Sequence, residues 1–142
     1  MTRIDDGHGI QYEFSANPDV NLWEKEVTPP GMDGGEPNNT TTMRNLAWET
    51  LAPQKLKTLT ESGATVAYAV ASYSEFFDMI NVNQEITITY PDGGTVQFWG
   101  YLQRFVPNAV VRGQQPTANI RVIPTNQDND GNEVEPVITP AV

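Results

Sequence analysis

Glu85-Ile86-Thr87-Ile88-Thr89-Tyr90, the turn sequence Pro91-Asp92-Gly93-Gly94, and Thr95-Val96-Gln97-Phe98-Trp99-Gly100-Tyr101-Leu102-Gln103-Arg104-Phe105 decide the fold class. Both flanking runs alternate apolar with polar residues, the period of a half-buried strand, and the Gly-rich break between them marks a hairpin. Ile86, Ile88 and Tyr90 share one face of the first strand. Val96, Phe98 and Leu102 match them if Tyr90 pairs with Val96 and Ile88 with Phe98. That register sets Pro91 opposite Thr95 and leaves Asp92-Gly93-Gly94 as the connection, a type I turn with a bulge and Gly94 in the left-handed conformation. The other face carries Glu85, Thr87, Thr89, Thr95 and Gln97, then Trp99 and Tyr101. Gly100 inside the strand predicts a bend or a close approach of another backbone.

Working outward, Ile10-Gln11-Tyr12-Glu13-Phe14-Ser15 alternates in the same way, and residues 20–27 read as its hairpin partner. The run Pro29-Pro30-Gly31-Met32-Asp33-Gly34-Gly35-Glu36-Pro37-Asn38-Asn39 is too rich in Gly, Pro and Asn for regular structure and is expected as a long loop. Loops of that length inside a compact domain commonly serve binding or assembly. Thr40-Thr41-Thr42-Met43 is β-prone, and residues 44–49 suit either a strand continuation or a helical turn. Residues 53–60 and 64–70 are expected as strands. Ser72 with Glu75 three positions on predicts a capping box for a helix over 73–80, with Phe76, Phe77, Met79 and Ile80 packing on the sheet. Residues 117–124 give a final strand with Ala118, Ile120 and Val122 facing the core. Residues 1–125 are read as one domain, and the Asn-, Asp-, Glu- and Pro-rich residues 126–142 as an extended acidic tail. The fold class expected is mainly β: an antiparallel sandwich or barrel-like fold with one short flanking helix and a long early loop.

The chain has 142 residues, enough for one core, with 11 Gly and 11 Pro that favour short strands and many turns. Eighteen acidic against 8 basic residues give a formal charge of -10, which argues against general affinity for DNA or anionic membranes. With no cysteine, disulfides, thiolate metal sites and cysteine nucleophiles are excluded. The first residues, Met1-Thr2-Arg3-Ile4-Asp5-Asp6, lack a signal-peptide pattern, so synthesis in the cytoplasm is expected.

No catalytic pattern emerges, and the expectation is that the chain is not an enzyme. His8 sits between two glycines with no triad partner nearby in sequence. Asn126, Asp128, Asp130 and Gly131 fit the first half of a calcium loop, yet its twelfth position is Val137 where the bidentate glutamate belongs. No metal and no cofactor is therefore expected. The sequons at Asn38 and Asn39 read as chance matches. Trp99, Tyr101 and Phe105 suit either a stacking platform, as in a carbohydrate-binding module, or ordinary core and interface packing.

Several segments together resemble the major tail tube proteins of long-tailed, non-contractile bacteriophages: Thr40-Thr41-Thr42-Met43-Arg44-Asn45, Leu56-Lys57-Thr58-Leu59-Thr60, residues 80–87, Phe98-Trp99-Gly100-Tyr101-Leu102 and Gln115-Pro116-Thr117-Ala118-Asn119. The resemblance covers roughly residues 8–126. It implies a β-sandwich with a flanking helix, six copies closing into a ring, and rings stacking into a tube that conducts DNA in transit during ejection without binding it specifically. It also implies a virion location after assembly in the host bacterial cytoplasm, no membrane, and tape-measure and tail-terminator or tail-tip proteins as partners. In this family an early loop reaches adjacent subunits, a role that falls here on residues 29–39. Alternation offers two sets for the lumen wall: Glu85, Thr87, Thr89 and Gln97, or Gln11, Glu13, Asn21 and Glu24. A secretion-system tube subunit of similar fold is the related alternative.

Overall fold

The computed structural model describes residues 9–18 and 23–140. Among the described residues eleven strands and one helix follow in order: β1 Gln11–Phe14, β2 Trp23–Thr28, β3 Met32–Asp33, β4 Asn38–Asn39, β5 Leu51–Ala52, β6 Thr58–Leu59, β7 Ser62–Ala67, α1 Ala71–Met79, β8 Gln84–Thr89, β9 Thr95–Pro107, β10 Thr117–Pro124 and β11 Val137–Thr139. Seven strands form one antiparallel sheet in the order β1-β8-β9-β10-β7-β2, with β11 added beside β9. The mainly β class with a single short helix is as expected.

Long β9 organises the sheet by serving two walls. Its residues 95–100 pair with β8, and its residues 100–107 pair with β10. Gly100 sits where the two overlap, and a Cβ there would lie 2.7 Å from the Ile123 carbonyl oxygen, so only glycine admits this approach. The two walls enclose Phe14, Val66, Ile86, Ile88, Phe98, Leu102, Ala118, Ile120 and Val122, all buried.

The hairpin differs from its expected register by two residues. Thr89 pairs with Thr95, Ile88 with Val96 and Ile86 with Phe98. The turn is Pro91-Asp92-Gly93, closed by the Gly93 N–H to the Tyr90 carbonyl at 3.0 Å and the Tyr90 N–H to the Gly94 carbonyl at 2.9 Å. Gly93, not Gly94, is left-handed, at φ 92°. Proline's fixed φ suits the first turn position, which draws Pro91 into the loop and moves the pairing. A two-residue slip preserves every face, so the apolar and polar sets survive it.

A one-residue irregularity elsewhere has the opposite effect. Between Arg121 and Val122 the β9–β10 register shifts, because Gln103 is an extra residue opposite that step. Alternation along β9 therefore reverses after Leu102. Phe105 turns inward and stacks on Phe76 of α1 at 4.4 Å between centroids, so Trp99, Tyr101 and Phe105 do not form a common platform.

Two further expectations are corrected. β1 and β2 are not a hairpin: β1 pairs with β8 and β2 with β7, at opposite ends of the sheet. The sheet curls until those ends meet, and side chains close the seam. The Tyr12 N–H donates to Glu24 Oε1 at 3.1 Å, the Tyr12 hydroxyl bonds to Ser62 Oγ and reaches the Gly63 carbonyl at 3.2 Å, and the Ser62 hydroxyl donates to the Thr28 carbonyl at 2.6 Å. The helix begins at Ala71 with Val70 as its N-cap, so Ser72 is a buried residue of the first turn and not the cap. Ser72, Phe76 and Met79 face the core at helical spacing, whereas Phe77, one position round, is 81% exposed.

The seam has a pH signature. Burial, with smaller contributions from Glu24 and Tyr90, raises the Tyr12 pKa from 10.0 to about 12. The protonated phenol is thus favoured by folding. Its contribution is complete below pH 10, the unfolded value, and disappears as pH rises toward 12. Two units correspond to roughly 2–3 kcal/mol. Urea unfolding across pH 8–12 checks this. The wild type should lose stability over the upper part of that range, and Tyr12→Phe should flatten the loss while costing about 1 kcal/mol at neutral pH.

Beyond Thr125 the segment expected as an extended tail is tied to the sheet. Asn83 Nδ2 donates to the Gln127 carbonyl at 2.9 Å, and β11 pairs with β9 from Val137↔Gln97 to Thr139↔Thr95.

Candidate functional site

Directly opposed residues in antiparallel strands share a face, so the pairings assemble the outer wall row by row. Gln11, Thr89, Thr95 and Thr139 form one row across β1, β8, β9 and β11; Glu13, Thr87, Gln97 and Val137 form the next. Glu85 and Trp99 follow in a third. The two sets offered by alternation therefore merge in part, because β1 lies against β8: Gln11 and Glu13 join Glu85, Thr87, Thr89 and Gln97. Glu24 does not belong to this wall, since it pairs with core-facing Val66 and its carboxylate accepts from Tyr12. Asn21 and His8 lie outside the described residues. The rows carry hydroxyls, amides and the carboxylates of Glu13 and Glu85, with no lysine or arginine among them.

The second feature is an arm. β2 and β7 pair as far as Thr28↔Gly63, and residues 29–61 continue past the end of that pair as a narrow hairpin. Residues 29–39 are its outgoing limb rather than a structureless loop: β3 pairs with β6 and β4 with β5. Residues 53–60, expected as a full strand, contribute only the short β6, because Pro53 and the solvent on both sides leave little to hold a longer ladder. Threonine and asparagine side chains order the tip. The Thr40 N–H donates to the Thr50 carbonyl at 2.9 Å, the Thr50 N–H to Thr41 Oγ1 at 2.9 Å, the Asn45 N–H to the Thr42 carbonyl at 3.1 Å, and Asn45 Nδ2 to the Trp48 carbonyl at 2.8 Å. Residues 40–49 are therefore a bonded turn, neither strand nor helix.

This ordered arm displays apolar side chains. Met43 and Leu46 are fully exposed, Trp48 is 83% exposed and Leu56 80%, with Met32 and Leu51 also exposed. Most of them lie on the tip and returning limb, outside the residues 29–39 singled out from sequence. One signal was available: Leu46, Trp48 and Leu51 lie between the Gly-, Pro- and Asn-rich residues 29–39 and Pro53, inside a segment punctuated against regular core strands. Exposed apolar groups concentrated on one projection mark an interaction surface. Burying a side chain of this size stabilises by roughly 1.5–3 kcal/mol.

Other candidates resolve into structural roles. Asp128 Oδ1 accepts from the N–H groups of Asp130 and Asn132 at 2.9 and 3.0 Å, so it shapes a turn. Among the described residues no group of three or more His, Cys, Asp or Glu is arranged to hold a metal, and no helix is long and apolar enough to cross a membrane. A shallow depression of about 220 Å³ on β2, β7 and β10 holds one carboxylate, Glu26, beside Thr28, Thr65 and Asn119.

A curled antiparallel sheet plugged by one helix, with an arm leaving the β2–β7 hairpin, can be compared with known architectures. The fold is similar to that of a prophage baseplate chain. Superposition on a chain in the cryo-EM structure of the anti-feeding prophage (AFP) baseplate, 6-fold symmetrised, gives a TM-score of 0.63 over 97% of each chain, at 8% sequence identity. No protein-family model matches the sequence, and no curated protein matches it. At 8% identity the likeness is one of fold alone: the topology is similar to that of a chain in this baseplate structure, while few residues are the same.

Proposed function

We propose that this chain is a structural, non-catalytic subunit of a phage-tail-type tube, six copies closing into a ring and rings stacking around a lumen. The observation that carries this reading is the arm. A segment ordered by its own hydrogen bonds, yet holding Met43, Leu46, Trp48 and Leu56 in water, is built to be buried by another molecule. The six-fold symmetry named for the baseplate structure that shares the fold supports a ring.

In this reading the wall of Gln11, Glu13, Glu85, Thr87, Thr89 and Gln97 faces the lumen. A surface without lysine or arginine makes none of the phosphate contacts that would hold DNA in passage. Partners are further copies, with tape-measure and tail-terminator or tail-tip proteins at the ends, in the virion tail after assembly in the host cytoplasm.

A second reading follows from the neighbour itself, whose printed setting is a baseplate: the chain then forms a ring at the base of a tube and does not propagate along it. Electron microscopy of the purified protein separates the two. Tubes of constant diameter are the expected result, single rings select the baseplate reading, and a strict monomer at high concentration sinks both.

A further inference from the structure

We infer that the outward face of α1, formed by Val70, Tyr73 and Phe77 beside Asp78, is the seat that receives the returning limb of the arm from a second copy. This rests on the assembly reading above and adds the receiving surface. Val70 and Phe77 are each 81% exposed and Tyr73 is 44% exposed. Their spacings of three and four residues place them on one stripe of the helix, distinct from the buried stripe of Ser72, Phe76 and Met79.

The seat is held in place from beneath. The Tyr73 ring meets Tyr68 and Phe105 edge-on, each at 5.5 Å between centroids, and Phe105 is stacked on Phe76 in turn. An aromatic surface fixed before binding loses little entropy when it is covered. The chain's own arm does not cover it, since the seat and Leu56 are exposed in the same molecule.

Charge selects the occupant. Of the chain's 8 basic and 18 acidic residues, three basic and four acidic lie in the arm, so the body carries most of the negative charge, a formal -9. Within the arm, the returning limb 53–60 holds Lys55 and Lys57 with no acidic residue. The helix holds Glu75 and Asp78 with no basic one. Leu56 meeting Phe77, with lysines reaching the exposed Asp78 at its edge, has the apolar centre and complementary polar border of a specific interface. A second set of exposed apolar residues, Val106, Val110 and Val111, lies beside Arg104 and Arg112 in sequence and so repels the same limb. A limb on one copy and a helix on the next make a head-to-tail contact, the kind that closes rings.

The absence of native cysteine makes the test direct. Leu56→Cys protein is co-assembled with Phe77→Cys protein, oxidised, and resolved by denaturing electrophoresis, with Leu56→Cys plus Val110→Cys as the reference pair. The expected result is about tenfold more mixed cross-linked dimer for the 56–77 pair, reflecting the high effective concentration of docked groups. Yields equal to the reference pair overturn the seat. If the cysteine variants assemble poorly, charge exchange answers the same question: Lys55→Glu/Lys57→Glu and Asp78→Lys should each weaken assembly and their combination restore it. Additive losses overturn the seat. A protein that never assembles takes down both proposals, whereas normal rings without the 56–77 cross-link take down only this one.

Discussion

Removing the arm tip should abolish the proposed self-assembly while leaving the fold untouched. The variant replaces residues 41–49 by Asn-Gly, a two-residue turn that matches the twist of a narrow hairpin, and so rejoins Thr40 to Thr50, whose backbones are already bonded. The deleted segment contributes no residue to the hydrophobic core, so the thermal midpoint should stay within a few degrees of wild type. Met43, Leu46 and Trp48 go with it. If their burial between subunits contributes even 3 kcal/mol per contact, its loss weakens each contact by about 150-fold, and contacts repeat around a ring. In the proposed assembly, sedimentation velocity should find rings or tubes for the wild type and a monomer for the shortened protein. A shortened protein that assembles normally would show that the arm is not the clasp. Replacing Met43, Leu46 and Trp48 together by serine at full arm length separates loss of apolar contact from loss of reach, and should give the same monomer.

The largest effect on folding is expected at Gly100. Gly100→Val would set Cβ 2.7 Å from the Ile123 carbonyl oxygen and 3.2 Å from Pro124 Cα, both backbone atoms of β10 that no rotamer change can move aside. The strand must shift at the point where β9 passes from one wall to the other. Overpacking of this kind costs about 3 kcal/mol, a large share of the stability of one domain. Urea unfolding measures it directly. Gly34→Ala is the control, since a Cβ there meets nothing within 4 Å and its stability should change by less than about 0.5 kcal/mol. Equal stability of Gly100→Val and wild type would refute the close approach.

Much of the core was legible from spacing. Ile86, Ile88, Phe98, Leu102, Ala118, Ile120 and Val122 were assigned inward by period-two alternation, and all are buried. The helix was legible because a stripe at 3.6-residue spacing has no other explanation, although Phe77 was misassigned to its buried side. The turn type at Pro91-Asp92-Gly93 was legible from local chemistry, while its placement was one residue off because proline's preference for the loop outweighed the tidier apolar match. Phe105 was not legible: one extra residue at Gln103 reverses the strand's faces, and nothing local announces a bulge whose cause is the partner strand.

Strand partners were the largest gap. Residues 10–15 and 20–27 are close in sequence and read as a hairpin, yet β1 and β2 pair with β8 and β7 at the two ends of the sheet. Pairing is set by which edges the closed core leaves available, not by nearness along the chain. The same holds for the arm. Its composition announced a segment outside the core, and only the pairing of β3 with β6 and β4 with β5 turned a presumed loop into a projecting hairpin.

The alternating hairpin at 85–105 was sufficient to establish a mainly β chain with one polar and one apolar sheet face, because side-chain direction in a strand depends only on parity along the backbone. The curled sheet, the seam at Tyr12 and the projecting arm with its exposed apolar side chains came from tertiary structure, because they depend on contacts between segments whose separation in sequence carries no signal of their distance in space.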